Sequence, residues 1–219
     1  MIKNIIFDFD GVLVDSEILA AKAFSRYMTK FGVNVDEKEF AIYAGNKTIN
    51  VIEILSKRYS IKNQKKFYNE IMNIASNIYK NELTIISGAY NFVNKSNLKL
   101  FIGSNSTKNR IIEGLQRVKL DKFFKPEQVY SFDLVKNPKP HPDIYLEVVK
   151  DNNLNRDDTI IIEDSVMGVK AGFCAGIKVI GFTGGGHWHK NRDEKELLEA
   201  GAILVTNDYN KIEEIIEQY

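Results

Sequence analysis

The sequence predicts an α/β fold, a doubly wound parallel sheet with a small helical module inserted near its start. Three observations support this fold class. Short apolar runs alternate with amphipathic segments over most of the 219 residues, which is typical of chains that build a parallel sheet. Several of the runs are continuously apolar, as strands covered on both faces require. Between residue 16 and about residue 84, by contrast, only helical periodicity is found.

Five apolar runs rich in Ile, Val and Phe are predicted to be strands, and a sixth run is a weaker candidate. In chain order they are Ile2–Phe9, Leu98–Ile102, Val129–Phe132, Thr159–Ile162, Lys178–Phe182 and, as the sixth, Ala202–Val205. Amphipathic segments follow at about 106–118, 141–151, 165–175, 192–200 and 208–218, and we expect them to be helices. This alternation of strands and helices predicts that the sheet is parallel.

The inserted module is predicted to contain helices at about 17–31, 36–43, 47–59 and 63–80. Apolar residues share one face of the first and last of these helices, and we expect them to form core: Phe24, Tyr27, Met28 and Phe31, then Phe67, Ile71, Ile74 and Ile78. Gly88 suits a return linker because glycine lets the chain change direction. The predicted domains are an α/β core of residues 1–15 and 86–219 and a helical cap of residues 16–85.

Composition and charge exclude several classes of protein. The chain has 30 Lys and Arg against 29 Asp and Glu, a net charge of +1, which gives no indication of a nucleic-acid or membrane-surface partner. One cysteine, Cys174, excludes an internal disulfide, and its small neighbours predict a buried thiol. No apolar run could span a bilayer, and the N-terminus lacks the features of a signal peptide. We therefore expect a cytoplasmic protein. We also expect a monomer, although no feature of the sequence determines the oligomeric state.

Pairs of acids follow the first and fourth predicted strands. Asp8 and Asp10 end the first strand, where Gly11 allows a sharp turn, and Glu163 and Asp164 end the fourth. Ligands of an open parallel sheet bind beyond the carboxyl ends of its strands. Like charges this close are costly unless a cation lies between them, and a hard divalent cation prefers oxygen ligands. An acid can also simply favour the positive end of a helix, which would explain one of these residues but not four.

Polar residues after the second strand and a stiff loop after the third complete the predicted site. Ser104 and Asn105 precede a predicted helix, and their donors together with the helix N-terminus suit a phosphate, although ordinary capping would also explain them. Lys139 lies among prolines at 138, 140 and 142. It could meet a phosphate as a fixed charge, although a solvated lysine is the commoner meaning of such a residue alone.

These four motifs resemble the signatures of the haloacid dehalogenase superfamily of phosphotransferases. DxDGxxxDS is present at 8–16, Ser-Asn-Ser at 104–106 and Glu-Asp-Ser at 163–165. The third signature, usually GKPxPD, occurs at 138–143 with Pro138 in place of the usual glycine. The resemblance covers essentially the whole chain. Within the superfamily it is strongest to β-phosphoglucomutase-like proteins and to 6-phosphogluconate-type sugar phosphatases.

The resemblance implies a role for each matched residue. Asp8 would be the nucleophile that attacks phosphorus, and Asp10 would protonate the leaving oxygen and then take a proton from the attacking water. Ser104, Lys139 and the backbone amide of Asn105 would hold the phosphoryl group. The inserted helices would be the family's cap, a lid that excludes bulk water and favours a small-molecule phosphoester over a protein as the substrate.

The resemblance also implies a Mg²⁺ cofactor. Its ligands would be Asp8, the backbone carbonyl oxygen of Asp10, Asp164 and, directly or through water, Glu163. The cation would shield the anionic nucleophile from the anionic substrate.

Two departures from the mutase pattern favour a phosphatase. The mutase holds a bisphosphate with a cap arginine after Gly-Val-Ser and a histidine five residues beyond the position of Asp15. This chain has Ala-Gly-Asn-Lys-Thr at 44–48 without a nearby arginine, and Ala20 at the histidine position. We therefore predict Mg²⁺-dependent hydrolysis of small phosphorylated metabolites, in particular sugar phosphates, with a sugar-phosphate mutase as the alternative. Lys47 is a candidate cap contact to the substrate, although a surface lysine is nearly as good an explanation.

Two other classes fit the sequence less well. A haloacid dehalogenase needs no metal and usually lacks the second aspartate, whereas Asp10 is present here. A non-catalytic binding module is disfavoured because every catalytic position is filled.

A glycine-rich segment, Gly-Gly-Gly-His-Trp-His at 184–189, follows the fifth predicted strand. His187 and His189 suggest a metal site, but the chain has only three histidines and no third ligand is evident. We expect a plain, mobile surface loop, with substrate or lid contact as the alternative.

Overall fold

The structure is a computed structural model that describes residues 1–33, 40, 48–188 and 192–218. The chain forms two units, one of residues Met1–Asp15 and Thr84–Tyr219 and the other of residues Ser16–Leu83. Each unit has a buried apolar cluster of its own. No described helix is long and apolar enough to cross a membrane.

A parallel sheet of six strands forms the centre of the larger unit. Its strands are β1 (Asn4–Phe7), β2 (Lys99–Ser104), β3 (Val129–Ser131), β4 (Thr159–Glu163), β5 (Lys178–Phe182) and β6 (Leu204–Thr206). They lie in the order β3-β2-β1-β4-β5-β6, and each neighbouring pair is parallel. From β1 the chain adds β2 and β3 on one side and then β4, β5 and β6 on the other. Ligands of doubly wound sheets bind at this switch point between β1 and β4. The predicted fold class is confirmed.

Helices alternate with these strands and cover both faces of the sheet. In chain order the helices of the described residues are α1 (Glu17–Met28), α2 (Thr48–Arg58) and α3 (Gln64–Glu82) in the smaller unit, and α4 (Ala89–Lys95), α5 (Lys108–Arg117), α6 (Asp143–Asp151), α7 (Val166–Cys174), α8 (Lys195–Glu199) and α9 (Tyr209–Gln218) in the larger unit. Residues of α6, α7 and α8 share one buried cluster with the strand residues Ile6 and Ile161. On the opposite face, Phe7 contacts Phe92 of α4, which in turn contacts Tyr209 of α9.

The register of β1 explains where its acidic neighbours lie. All four of its residues are buried because strands flank it on both sides and helices cover both faces. Phe7 lies level with Ile102 of β2 and Ile162 of β4. The Asp8 N–H then donates to the Ile162 carbonyl oxygen at 2.9 Å, so Asp8 continues the ladder beyond the strand. The first carboxylate is thereby fixed between the ends of β2 and β4.

The smaller unit packs α1 and α3 against each other around an aromatic core. The Tyr27 ring stacks on Phe67, with ring centroids 4.4 Å apart, and Phe24, Met28 and Ile71 join the same cluster. The expectation that Phe31 is also core is wrong, because its side chain is exposed. α1 ends at Met28, and Phe31 lies in a 3₁₀ turn, which rotates it off the buried face. The helix predicted at 36–43 lies outside the described residues, apart from residue 40.

Two further differences separate the predicted elements from the observed ones. The sequence analysis missed α4, whose seven residues offer too few helical periods to stand out. The expectation of a buried thiol at Cys174 is also wrong, because that residue is exposed. α7 buries Gly168, Val169 and Ala171, and at 100° per residue Cys174 points away from that face.

Candidate active site

A buried lysine lies between two carboxylates at the carboxyl ends of β1 and β4. Lys139 Nζ donates to Asp8 Oδ1 and to Glu163 Oε1, each at 2.6 Å. The lysine side chain is only 3% exposed. At this burial, opposite charges interact far more strongly than on the surface, so the three side chains hold one another in place.

The loop that carries Lys139 is fixed by Asn105. The Lys139 N–H donates to Asn105 Oδ1 at 3.0 Å, and Asn105 Nδ2 donates back to the Lys139 carbonyl oxygen at 3.2 Å. This reciprocal pair connects the end of β2 to the loop before α6. The Asn105 side chain therefore positions the lysine backbone, a contact that the sequence analysis did not foresee.

Four hydrogen bonds surround the Glu163 carboxylate. Its Oε1 accepts from Lys139 and from the Tyr145 hydroxyl at 3.0 Å, and its Oε2 accepts from the N–H and hydroxyl of Ser165, each at 3.0 Å. Burial raises the pKa of Tyr145 well above its ordinary value, so this hydroxyl keeps its proton and donates. A Cβ on Gly168 would overlap the Glu163 carboxylate. Because a carboxylate has about four acceptor positions, these contacts favour a supporting role for Glu163 over a direct metal contact.

Asp10 is held by Ser106, which lies just before α5, and by Arg110 in the first turn of that helix. The Ser106 hydroxyl donates to Asp10 Oδ2 at 2.5 Å, and Arg110 Nη2 donates to Oδ1 at 3.0 Å. Arg110 Nη1 also lies 3.2 Å from the Ser106 hydroxyl oxygen. The sequence analysis missed Arg110, which lies in the first turn of α5, because no pattern in the sequence connects this residue with Asp10.

Ser104 is buried at the end of β2. Its hydroxyl oxygen accepts from the Ser106 N–H at 3.1 Å, so the hydroxyl hydrogen can still donate to another group. The geometry therefore agrees with the use of Ser104 as a donor to an anion.

Asp164 contacts a histidine from the glycine-rich loop. His187 Nε2 lies 3.0 Å from Asp164 Oδ2, and the histidine side chain is 4% exposed. The expectation of a plain surface loop is wrong for His187. A Cβ on Gly185 would lie 2.8 Å from the imidazole ring. The close packing around His187 therefore requires glycine at this neighbouring position. His189 lies outside the described residues, and so does Lys47.

The buried charges perturb one another. Burial raises the pKa of Asp8 well above its ordinary value; attraction to Lys139 opposes this rise, and repulsion from Glu163, Asp164 and Asp10 adds to it. Burial alone would lower the pKa of Lys139, but Asp8 and Glu163 outweigh it and hold that pKa well above its ordinary value. Lys139 is therefore held in its charged form, and further positive charge near Asp8 would favour the ionised form of its carboxyl.

The site fits a hard divalent cation. Among the described residues, no group of three or more His, Cys, Asp and Glu side chains is arranged to hold a metal ion by itself. The predicted ligands, however, also include a backbone carbonyl oxygen, that of Asp10. A Cβ on Gly11 would overlap the Asp164 carboxylate, so the turn after β1 lies directly against this acid. The donors are oxygens, as Mg²⁺ requires, and a bound cation beside Asp8 would lower the pKa of that carboxyl.

Comparisons with known proteins show what this chain is similar to. Residues 5–182 match the family described as haloacid dehalogenase-like hydrolase. The chain is 33% identical to a phosphorylated carbohydrates phosphatase of Thermotoga maritima, over 98% of this chain and 96% of that protein. It is 27% identical to a 6-phosphogluconate phosphatase of Escherichia coli, over 85% of each. A solved structure of a candidate beta-phosphoglucomutase from Thermotoga maritima has a TM-score of 0.82 and 29% identity, and covers 99% of each chain.

Proposed function

Because the chain belongs to the haloacid dehalogenase-like hydrolase family, we propose that it hydrolyses small phosphorylated metabolites, in particular sugar phosphates, through an aspartyl-phosphate on Asp8. The family and its phosphatase relatives make the chain a phosphoric monoester hydrolase. The observation that supports the mechanism best is the buried Asp8 carboxylate, 2.6 Å from Lys139 Nζ at the end of the central strand.

The first step transfers the phosphoryl group to the protein. Lys139 holds the Asp8 carboxylate by Oδ1, so we assign the attack on phosphorus to Oδ2. A bond forms between Oδ2 and phosphorus while the bond from phosphorus to the ester oxygen breaks. Asp10 gives its proton to that leaving oxygen, and an alcohol is released.

The second step regenerates Asp8. A water molecule attacks the phosphorus of the aspartyl-phosphate and gives a proton to Asp10, while the bond between phosphorus and Asp8 breaks. Inorganic phosphate leaves and both aspartates return to their starting states. In both steps Ser104, the Asn105 N–H and Lys139 neutralise charge on the transferring group, which is the main requirement of phosphoryl transfer.

We assign the Mg²⁺ ligands to Asp8, Asp164 and the backbone carbonyl oxygen of Asp10. The cation supplies positive charge between the anionic nucleophile and the anionic substrate. Glu163, with both carboxylate oxygens occupied by donors, is assigned to hold Lys139 and the start of α7.

The helical unit is proposed to act as the family's cap and to select the substrate. Its support is an apolar core of its own, separate from that of the sheet. The predicted substrate contact of Lys47, the cytoplasmic location and the monomeric state remain predictions.

Removal of divalent cations should abolish phosphate release. We expect the purified protein to hydrolyse p-nitrophenyl phosphate and several sugar phosphates in Mg²⁺, to lose this activity in EDTA and to regain it when Mg²⁺ is added in excess. Colorimetric phosphate release measures all three states. Full activity in EDTA would contradict the assignment of a metal, and interconversion of hexose 1- and 6-phosphates without net phosphate release would favour the mutase.

Replacing Arg110 with methionine (R110M) should slow the hydrolysis of alkyl phosphates such as glucose 6-phosphate by about 10–100-fold, part of what a general acid–base contributes. The change removes the Arg110 contact that holds Asp10 at 3.0 Å. A p-nitrophenolate group leaves with little need of a proton, so the loss on p-nitrophenyl phosphate should be smaller. R117M, at an exposed arginine of the same helix, is the matched control. Equal losses on both substrates would show that Arg110 does not act through proton donation by Asp10.

A further inference from the structure

A histidine outside the family's matched range lies against the proposed metal site. The match ends at residue 182, and His187 follows in the loop after β5. Its Nε2 is 3.0 Å from Asp164 Oδ2. Only 4% of the histidine side chain and 7% of the Asp164 side chain are exposed. Water is therefore largely excluded from this contact, which strengthens a hydrogen bond to a carboxylate.

Two backbone turns close around this pair. A Cβ on Gly11 would overlap the Asp164 carboxylate and come within 2.9 Å of His187 Cε1. A Cβ on Gly185 would lie 2.8 Å from His187 Cε1 and Nδ1. The first turn belongs to the DxDG motif and the second to the glycine-rich loop. Such close packing on both sides leaves the imidazole and the carboxylate little freedom to take other orientations.

The glycine-rich loop is anchored to the first motif. The Gly186 N–H donates to Asp15 Oδ1 at 3.0 Å, and a Cβ on Gly186 would lie 2.8 Å from Asp15 Oδ2. The Trp188 N–H donates to the Gly185 carbonyl oxygen at 3.0 Å, which closes a turn around His187. These two contacts hold the backbone on both sides of His187 in place.

A carboxylate beside other carboxylates needs such support. Asp8 and Glu163 lie at the ends of neighbouring strands, where both contact Lys139 Nζ at 2.6 Å, and Asp164 directly follows Glu163, so like charges repel Asp164. A donor on one carboxylate oxygen opposes this repulsion and fixes the orientation of the group. Residues that orient metal ligands in this way commonly change metal affinity by about 10–100-fold when they are replaced.

We propose that His187 is a positioning residue for the metal. Its Nε2–H donates to Asp164 Oδ2 and fixes the orientation of the carboxylate that would bind Mg²⁺. His187 itself is not a ligand. The inference rests on the proposed function, since it assumes that Asp164 binds the cation.

Two substitutions separate the hydrogen bond from the packing. Glutamine (H187Q) can place a side-chain N–H where the His187 Nε2–H lies. Leucine (H187L) has similar bulk but no hydrogen-bond donor. We expect Mg²⁺ titration by isothermal calorimetry to show about 10–100-fold weaker binding in H187L and wild-type binding within about 3-fold in H187Q. In kinetics, H187L should need more Mg²⁺ for half-maximal rate and recover most of the wild-type rate at saturation. The matched control Q116L changes an exposed residue of α5 and should alter neither value.

The results distinguish failure of the positioning role of His187 from failure of the proposed function. If wild-type protein hydrolyses phosphoesters with Mg²⁺ and H187L binds Mg²⁺ as tightly as wild type, the positioning role is wrong and the proposed function stands. Equal weakening in H187Q and H187L, with equal falls in melting temperature, would also overturn it, because packing alone would then explain the effect. A wild-type protein that binds no Mg²⁺ and releases no phosphate would overturn the proposed function itself.

Discussion

Replacing Asp8 with asparagine (D8N) should lower phosphate release by at least about 10³-fold, because the amide cannot form the covalent phosphoryl intermediate. The fold should survive the change. Burial raises the pKa of Asp8, and repulsion from neighbouring acids adds to that rise. D8N removes the cost of a buried charge at this position and keeps an oxygen that can accept from Lys139, while Lys139 keeps its pair with Glu163. We therefore expect a melting temperature close to that of the wild type, so that the lost activity reports chemistry rather than unfolding.

Two measurements make this test specific. Acid-quenched wild-type protein should carry a phosphoryl group that hydroxylamine releases, and D8N should carry none. The control D121N makes the same chemical change at an exposed aspartate and should keep full activity. Mass spectrometry should exclude deamidation of the introduced asparagine back to aspartate. Retained activity in intact D8N would show that Asp8 is not the nucleophile.

Replacing Lys139 with methionine (K139M) should have the largest effect on stability. The change leaves Asp8 and Glu163 buried without the cation that lies 2.6 Å from each of them. Removal of one partner from a buried ion pair costs about 3–5 kcal/mol, and the free energy of unfolding should fall by that amount in urea denaturation with EDTA present. Phosphate release should fall by about 10²-fold or more, since the phosphoryl group also loses its fixed positive charge.

Companion variants separate charge from shape at this position. K139R keeps the charge and should lose less stability than K139M. In K139M/E163Q one of the two carboxylates left without the lysine is replaced by a neutral amide. The loss of unfolding free energy in the double variant should therefore differ from the sum of the losses in the two single variants. The exposed Lys211 provides the control, and K211M should stay within about 0.5 kcal/mol of the wild type. A K139M protein as stable as the wild type would show that Lys139 does not balance these charges.

Much of the fold could be predicted from the sequence because the signals are local. Ile5, Ile6 and Phe7 form a continuous apolar run since β1 is flanked by strands and covered by helices, and such a run stands out in a single sequence. α4 was missed because its apolar positions span only seven residues. Phe31 was misplaced because the change from α-helix to 3₁₀ turn after Met28 leaves no mark in the apolar pattern.

For the candidate site, the sequence predicted which residues lie together at the carboxyl edge of the sheet. In a parallel sheet, all strands end on the same side, so Asp8, Ser104 and Glu163 had to lie near one another once their strands were identified. The sequence could not show what each side chain contacts. The Asn105 side chain pairs with the Lys139 backbone, and Arg110 reaches Asp10 from a helix a hundred residues later. Neither contact leaves a pattern at the period of a strand or helix.

The sequence by itself determined the parallel sheet, the inserted helices and the set of acids and donors at the strand ends, because hydrophobic periodicity and topology depend on order along the chain. Only the tertiary structure decided how the charges are paired. Lys139 lies between Asp8 and Glu163, and His187, expected on the surface, is buried against Asp164. These pairings depend on how separate loops pack at distances of a few ångströms, where side-chain shape and the cost of burying charge select the partner.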